Sequence, residues 1–427
     1  MYKKTTFSNG IRVITVPLHE TNAVTVLVLV GAGSRHEPKP LNGVSHFIEH
    51  MMFKGTKKRP ATLDISKNLD SVGAEYNAFT GKDHTGYYIK TDYKQADLAL
   101  DILSDMLTNS KFDQTELTRE KKVIIEEINM YQDNPLMHIE NLLEQSLFQG
   151  NSLGWDIAGS RQSVSSVSRK QMLGYKDRLY RGDNIVIVVA GRIKKSVLKD
   201  IKKYFGGIPD DRKEKAKNEE FDFPVFQLSQ KKPAVILQYK ETEQIQLALG
   251  FPGYSYFDKN IYPLALLAVI LGGTMSSRLF IEVRERKGLC YFIRSGMNIY
   301  QDTGSLYIQS GLDKTRLEPA IKLILKELKK VKRQGVTAAE LKRAKDNFRG
   351  KLMLSLEDSM KLAAWYGEDE ILTSQTHTPH EKINKIMAVT RSDVKRVANE
   401  VLNHFQLNLA LIGPFKSSKP FLKLLKL

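Results

Sequence analysis

Apolar residues in the first part of the chain follow two spacings, one typical of strands and the other of amphipathic helices. Residues 11–16 and 23–30 are short runs rich in β-branched side chains, which predict two strands. The second run is almost entirely apolar, as expected for a central strand with both faces buried. In residues 44–55 the apolar side chains recur every three or four positions, which predicts a helix after the glycine- and proline-containing loop 31–43.

The same criteria predict an alternation of helices and strands as far as residue 191. The predicted elements are helices at 65–72, 93–109, 113–133 and 138–148, a hairpin of strands 74–80 and 84–89, and a strand at 185–189. The helix from Asp113 breaks at Asn134-Pro135, because the residue before a proline avoids helical angles.

Part of this order recurs after a region of different composition. Residues 208–233 show no periodicity, contain three prolines and are rich in charge, so we interpret them as a linker. Beyond the linker, segments 303–308 and 340–343 are separated by a predicted helix, like segments 85–89 and 116–119 in the first half. This correspondence indicates an internal duplication.

The length of 427 residues also favours two domains, since it exceeds the usual size of a single hydrophobic core. We therefore predict an α+β fold with two homologous domains, each a mostly antiparallel sheet covered by helices. The predicted bounds are residues 1–207 for the first domain, 208–233 for the linker and 234–427 for the second domain.

Composition narrows the classes of partner. The excess of 65 Lys and Arg over 48 Asp and Glu gives a net charge of +17, but the lysines are scattered and no aromatic-basic motif appears. We therefore expect no nucleic-acid partner. We also expect no membrane span, because no apolar run is long enough. The single cysteine, Cys290, excludes an intrachain disulfide, and with no recognisable leader segment it favours the cytoplasm.

The predicted helix at 44–55 carries a candidate metal site. His46 and His50 are four residues apart, so their side chains are neighbours on a face opposite the apolar stripe. Two imidazoles at this spacing can bind one divalent ion at about 2.0–2.1 Å, which places Glu49 beside the metal as a candidate base. The structural alternative is a buried histidine pair hydrogen-bonded within a core.

A catalytic zinc usually has three protein ligands, and the helix at 113–133 is the best source of the third. Glu120 and Glu127 are seven residues apart and share a face, whereas Glu126 aligns with Arg119 and Lys122 on a charged, solvated face. We therefore choose Glu127 as the ligand over Glu126. Glu120 either accepts a hydrogen bond from a ligand or belongs to an ordinary surface ion pair.

The motif His46-x-x-Glu49-His50, with Glu127 after 76 intervening residues and Glu120 seven residues before Glu127, resembles the inverzincin motif of a known family. That family includes the pitrilysin, insulin-degrading and mitochondrial-processing metallopeptidases. The resemblance covers almost the whole chain. It implies that His46, His50 and Glu127 bind one Zn2+ per chain and that Glu49 activates the attacking water.

Two further segments are similar to the family. Asn77, Ala78 and Phe79 resemble its exposed edge strand, on which the substrate backbone is bound as an extra strand. Arg284 and Tyr291 resemble its distal pair, in which the arginine holds substrate backbone and the tyrosine donates to the oxyanion. The alternative for the first segment is an ordinary hairpin strand. Without the resemblance, Arg284 would be interpreted as a solvated helix residue and Tyr291 as a core aromatic.

The chain is about half as long as the full-length members of the family, yet it carries both groups of residues. The resemblance therefore implies a clam-shell homodimer whose active sites are shared between chains. The expected activity is a zinc endopeptidase acting on unfolded peptides in an enclosed chamber. The alternatives are a specific processing protease that acts with a homologous subunit and a non-catalytic scaffold subunit, although the intact metal motif disfavours a scaffold.

Overall fold

The computed structural model describes residues 2–209 and 223–427, and its strands form two separate sheets. The strands of the first sheet are β1 (Lys3–Thr6), β2 (Arg12–Pro17), β3 (Ala23–Val30), β4 (Glu75–Thr80), β5 (Thr85–Asp92) and β6 (Ile185–Gly191). The strands of the second sheet are β7 (Ala234–Tyr239), β8 (Gln244–Gly253), β9 (Cys290–Ile299), β10 (Gly304–Asp313) and β11 (Asn408–Gly413).

The first sheet has the order β1-β2-β6-β3-β5-β4. Strands β3 and β6 lie in the middle and are almost completely buried, as their continuous apolar sequences predict. The sheet is antiparallel apart from the parallel pair β2–β6 among the described strands. Strand β4 lies at one edge, so one row of its backbone groups has no neighbouring strand.

The described strands of the second sheet repeat this topology, and none of them corresponds to β1. Its order is β7-β11-β8-β10-β9, so β9 occupies the edge position that β4 occupies in the first sheet. Its described strands also include one parallel pair, β7–β11, which corresponds to β2–β6. The matching order and strand directions agree with the predicted internal duplication, and the α+β prediction of two mostly antiparallel sheets covered by helices is confirmed.

Fifteen α-helices accompany the described strands, together with a π-helical segment at Phe280–Glu285 and short 3-10 helices. The α-helices within residues 2–209 are α1 (Val44–Met52), α2 (Thr62–Asp70), α3 (Ala96–Asn109), α4 (Gln114–Asp133), α5 (Pro135–Leu147), α6 (Arg161–Ser166), α7 (Arg169–Leu179) and α8 (Val197–Phe205). The α-helices within residues 223–427 are α9 (Ile261–Gly272), α10 (Leu317–Gln334), α11 (Ala338–Ser355), α12 (Ser359–Thr373), α13 (Pro379–Ala388), α14 (Arg391–Val401) and α15 (Lys419–Leu424).

The chain forms two compact units that do not follow the order of the sequence. The first contains Met1–Asn129, Trp155–Pro224 and Met353–Thr378, and the second contains Met130–Gly154, Val225–Leu352 and Pro379–Leu427. Helix α5 therefore packs on β8 and β11, while helix α12 packs on β3 and β6. Each sheet is covered partly by a helix from the other half of the sequence.

The predicted division into 1–207, 208–233 and 234–427 stays a prediction. The prediction assigned consecutive stretches of the chain to each domain. In the structure, α5 belongs to the unit of the second sheet and α12 to the unit of the first sheet. The charged run 210–215, on which the linker was based, lies outside the described residues.

Within the described residues, no helix combines the length and apolar character that crossing a membrane requires. Cys290, the one cysteine, is a free thiol at the start of β9.

Candidate metal centre

Helix α1 presents two histidines opposite a buried apolar face. Val44, Phe47, Ile48, Met51 and Met52 are buried in the core of the first unit, as the helical spacing predicts. His46 and His50 therefore project together from the other face, and their Nε2 atoms are 3.3 Å apart. The core contacts of α1 thus orient both imidazoles toward the same point.

Helix α4 brings a carboxylate to these histidines. Leu117, Ile124 and Ile128 bury one side of the helix, and Glu127 reaches the α1 histidines from an adjacent side. Its Oε2 lies 3.7 Å from His46 Nε2 and 3.5 Å from His50 Nε2.

The three side chains fit a tetrahedral zinc ion. Ligand atoms about 2.0–2.2 Å from a tetrahedral centre are separated by about 3.3–3.6 Å. Two of the observed distances, 3.3 and 3.5 Å, lie in this range, and the third, 3.7 Å, is slightly longer. Two imidazoles and one carboxylate also form a donor set that zinc prefers, with a fourth position left for water. Among residues 2–209 and 223–427, this is the one group of three or more His, Cys, Asp or Glu side chains with such convergence.

Glu120 contacts His50 from behind the candidate site. It is 4% exposed, and its Oε1 accepts a hydrogen bond from His50 Nδ1 at 2.9 Å, while its Oε2 pairs with Lys54 Nζ at 2.8 Å. A proton held on Nδ1 leaves the Nε2 lone pair free to bind a metal. The structure thus brings Glu120 to a predicted ligand, and Glu126 is exposed on another side of α4.

Glu49 lies between the histidines and is held by a residue that the sequence did not identify. Its Oε2 accepts a hydrogen bond of 2.5 Å from Thr80 Oγ1, at the end of edge strand β4. Burial raises the pKa of Glu49, although this hydrogen bond opposes the rise. No local signal could identify Thr80, because 31 positions separate it from Glu49 and only the packing of β4 against α1 joins them.

The two histidines of this cluster differ strongly in their pKa values. Burial and the neighbouring His50 lower the pKa of His46 to about 4. Burial also disfavours the charged form of His50, but hydrogen bonds to Glu120 and Glu127 outweigh it and raise the pKa to about 9. Hydrogen bonding to His50 lowers the pKa of Glu127. The charges of His50 and Glu127 are therefore coupled, and this coupling keeps Glu127 ionised.

The predicted substrate strand lies at the free edge of the first sheet. Asn77, Ala78 and Phe79 pair with Tyr88, Tyr87 and Gly86 of β5 on one side. The other side has no neighbouring strand among the described residues. Ala78 N donates to the side-chain Oδ1 of Asn77 at 2.9 Å.

The predicted distal pair lies in the second unit. Arg284 Nε donates to the carbonyl oxygen of Tyr291 at 2.8 Å, and its guanidinium pairs with Glu285 at 3.0 Å and stacks over Phe280. Tyr291 is 63% exposed at the start of edge strand β9, so the alternative interpretation as a core aromatic is wrong. The phenol is free to meet a ligand from solvent.

Comparisons with known proteins place this chain beside zinc proteases. Residues 12–161 match the family model described as Insulinase (Peptidase family M16), and residues 166–348 match the model described as Peptidase M16 inactive domain. An uncharacterized zinc protease of Bacillus subtilis, YmxG, is 39% identical, and the match covers 97% of this chain and 98% of that protein. An uncharacterized zinc protease of Streptomyces coelicolor is 32% identical over 98% of this chain and 90% of its own length. Among solved structures, a protease from Helicobacter pylori is similar with a TM-score of 0.89 and 24% identity, covering 97% of this chain and 99% of its own.

Proposed function

The chain belongs to the insulinase family, peptidase family M16, and is a zinc metallopeptidase, and from this premise we propose that it is an endopeptidase acting on unfolded peptides. In this proposal His46, His50 and Glu127 are the zinc ligands and Glu49 is the general base. The observation that carries the proposal is the convergence of these three ligands beside the half-buried carboxylate of Glu49.

In this proposal the metal, Glu49 and Thr80 have separate roles in peptide hydrolysis. Bound zinc supplies Lewis acidity, which lowers the pKa of a coordinated water and polarises the scissile carbonyl. Glu49 takes the proton of the attacking water on a carboxylate oxygen and passes it to the leaving amine. Its raised pKa suits this exchange, since a base with a pKa closer to neutrality also acts as an acid. Thr80 orients the carboxylate through its hydrogen bond.

Substrate backbone pairs with edge strand β4 in this proposal. An extended peptide that adds to Asn77, Ala78 and Phe79 gains main-chain hydrogen bonds that do not depend on its side chains, so varied sequences are accepted. The side chain of Asn77 must release the amide of Ala78 where that amide pairs with the substrate. Because Thr80 belongs to the same strand, substrate pairing and the orientation of Glu49 are physically connected.

The proposed complete site requires two chains. Arg284 and Tyr291 bind the substrate carbonyl oxygens, the arginine by charge and the phenol by donating a hydrogen bond. We propose that they act on the zinc centre of a partner chain in a two-fold homodimer that encloses the substrate in a chamber. The exposure of the Tyr291 ring supports this assignment, because a phenol that meets a substrate must be accessible.

The central test measures hydrolysis of a random peptide library, with cuts mapped by mass spectrometry. We expect cleavage at many sequences in short peptides, loss of activity with a metal chelator, and recovery when zinc is added back. Glu49→Gln should keep its zinc and lose about 100-fold or more in rate, because the base is removed while the ligands remain. Near-normal rates in this variant would show that another group is the base. Cutting at a single defined sequence would instead favour a processing protease.

A mixing experiment tests the shared active site. Glu49→Gln and Tyr291→Phe chains should each be inactive, and a mixture of the two should recover partial activity, since one site per mixed dimer has both intact halves. The control is each variant mixed with itself at the same total concentration. A mixture as inactive as its components would favour a site completed within one chain.

A further inference from the structure

Helix α1, which carries the candidate metal ligands, begins at a residue that cannot cap it. Gly43 is the residue before the first helical turn, with φ of 94° and no side chain to accept a hydrogen bond. The first turn of any helix leaves backbone N–H groups without partners inside the helix. In α1 these groups therefore need an acceptor from outside the helix.

Glu37 supplies this acceptor. Its Oε2 lies 2.7 Å from Gly43 N, and its Oε1 lies 2.8 Å from Ser45 N, so one carboxylate accepts from two amides at the start of α1. The side chain of Asn42 also donates to Oε2 at 3.1 Å. Glu37 is only 3% exposed, so water does not compete for these bonds. A carboxylate is also favoured there by the partial positive charge of a helix N-terminus.

The loop that carries Glu37 is itself anchored. Arg35 is completely buried and pairs with Asp83 at 2.9 Å, and its guanidinium lies 3.5 Å from the ring centre of Phe223. The backbone amide of Arg35 donates to the carbonyl of Lys82, next to the turn between β4 and β5. The carboxylate of Glu37 is thus presented to α1 by a loop fixed to the hairpin.

His46 depends on this first turn more than His50 does. It is the third residue of a nine-residue helix, where helices fray most readily. Its Nδ1 is buried and has no hydrogen-bond partner among the described residues, whereas His50 Nδ1 is held by Glu120. The direction of the His46 ring is therefore set mainly by the backbone that Glu37 caps.

We propose that Glu37 is a positioning residue for the metal centre, which fixes the first turn of α1 so that His46 converges with His50 and Glu127. This inference rests on the proposed role of these three residues as zinc ligands. Glu37 does not touch the metal or the substrate. It acts through the backbone of Gly43 and Ser45.

The test compares zinc affinity, measured by competition with a chromogenic chelator, in three variants of the full chain. Glu37→Ala should weaken zinc binding about 10-fold to 100-fold, the range seen when a group that orients a ligand is removed. Glu37→Gln should lose less, because its amide oxygen still accepts one of the two backbone hydrogen bonds. With zinc at saturation, we expect Glu37→Gln to lower kcat with little change in KM, since β4 is untouched.

The matched control is Glu370→Gln in the same unit. Glu370 is fully buried, bonds Lys4 and Thr376 at 2.7 Å each and pairs with Arg12 at 3.5 Å, and none of these partners belongs to α1 or its loop. It should lower the thermal unfolding midpoint of the metal-free protein and leave zinc affinity within about twofold. If a general loss of stability explained the weaker zinc binding of Glu37→Gln, Glu370→Gln would weaken zinc binding to the same extent. That result would contradict the inference.

The remaining outcomes are also decisive. If Glu37→Ala does not fold, as judged by circular dichroism, Glu37→Gln decides the question, and wild-type affinity together with wild-type kcat in that variant overturns the inference. If the wild type binds zinc tightly and Glu37→Ala binds it equally well, the role of Glu37 is refuted while the proposed function stands. A wild-type chain that bound no zinc would refute the proposed function and this inference with it.

Discussion

Replacing Glu120 measures how much of the zinc affinity comes from outside the three candidate ligands. This carboxylate is 4% exposed and joins two groups, His50 Nδ1 at 2.9 Å and Lys54 Nζ at 2.8 Å. Glu120→Leu removes both contacts at similar volume, and Glu120→Gln removes the charge while it keeps an acceptor for His50. Neither substitution changes a candidate ligand.

The size of the effect follows from the hydrogen bond to His50. Hydrogen bonds that involve a charged group contribute about 1.5–3 kcal/mol, and about 1.4 kcal/mol corresponds to a factor of ten in affinity. Glu120→Leu should therefore weaken zinc binding about 10-fold to 100-fold. Glu120→Gln should weaken it about threefold to tenfold, since a neutral acceptor makes roughly half as strong a bond. Lys54 adds little, because its side chain is 23% exposed and can turn toward water.

Chelator competition on the purified chain gives the zinc dissociation constants directly. Glu126→Gln is the matched control, because Glu126 lies on the same helix with an exposed side chain and should leave the affinity unchanged. Wild-type affinity in Glu120→Leu would refute the reasoning and reduce Glu120 to an ordinary ion pair with Lys54. A large loss in Glu126→Gln would contradict the choice of Glu127 as the third ligand.

Two further predictions concern the fold. Burial opposes ionisation of Glu340, but hydrogen bonds from Arg278 and from Thr337, the residue before α11, lower its pKa to about 2. The stabilising effect of the Glu340 carboxylate is therefore present above about pH 4.5 and lost as the pH falls through about 2. After allowance for solvent screening, Glu340→Gln should lower the unfolding free energy, measured in urea, by about 1–2 kcal/mol at pH 7 and by nearly nothing at pH 2. An equal loss at both pH values would contradict the lowered pKa. In helix α12 a methyl group on Gly367 would lie 2.6 Å from Leu29 Cδ1, whereas Gly350 in α11 has no neighbour within 4 Å. Gly350→Ala should raise the unfolding free energy measured in urea by about 0.5–1 kcal/mol. An equal gain in Gly367→Ala would show that α12 does not pack tightly on the first sheet.

The elements that could be predicted are those with a strong local signal. Helix α1, strand β3, the hairpin of β4 and β5, and the break between α4 and α5 all follow from apolar spacing or from Pro135. Their signals lie within a few residues of one another. Side-chain periodicity alone therefore determined their type.

The elements that could not be predicted depend on contacts between distant residues. The parallel pair of β7 and β11 joins strands about 170 positions apart, and neither was identified as a strand from the sequence. The exchange of α5 and α12 is similar, because an apolar helix face shows that the helix is buried but not which sheet it covers. In α12 the small surface of Gly367, not a pattern of apolar residues, permits close packing on β3.

The same distinction holds within the candidate site. The spacing of His46 and His50 and the shared face of Glu120 and Glu127 are helical properties, so the sequence could predict that these side chains come together. Thr80 could not be found, since its contact with Glu49 depends on how the hairpin packs. Glu37 also went unnoticed, although one signal existed.

That signal is the absence of a capping side chain. Helices usually begin after Ser, Thr, Asp or Asn, and α1 begins after Gly43. A glycine is needed there because a side chain would meet the carbonyl of Ala158 at 2.6 Å and because the backbone has a positive φ. The first turn of a metal-binding helix without its own cap therefore implies an acceptor elsewhere in the chain.

Both ends of the ligand pair on α1 are supported by carboxylates that the histidine motif does not contain. Glu37 holds the first turn before His46, and Glu120 holds the imidazole of His50. The motif supplies the donor atoms at the right spacing, but their fixed direction comes from a loop and from a second helix. We therefore expect metal affinity in this chain to depend on the packing of the first unit as well as on an intact motif.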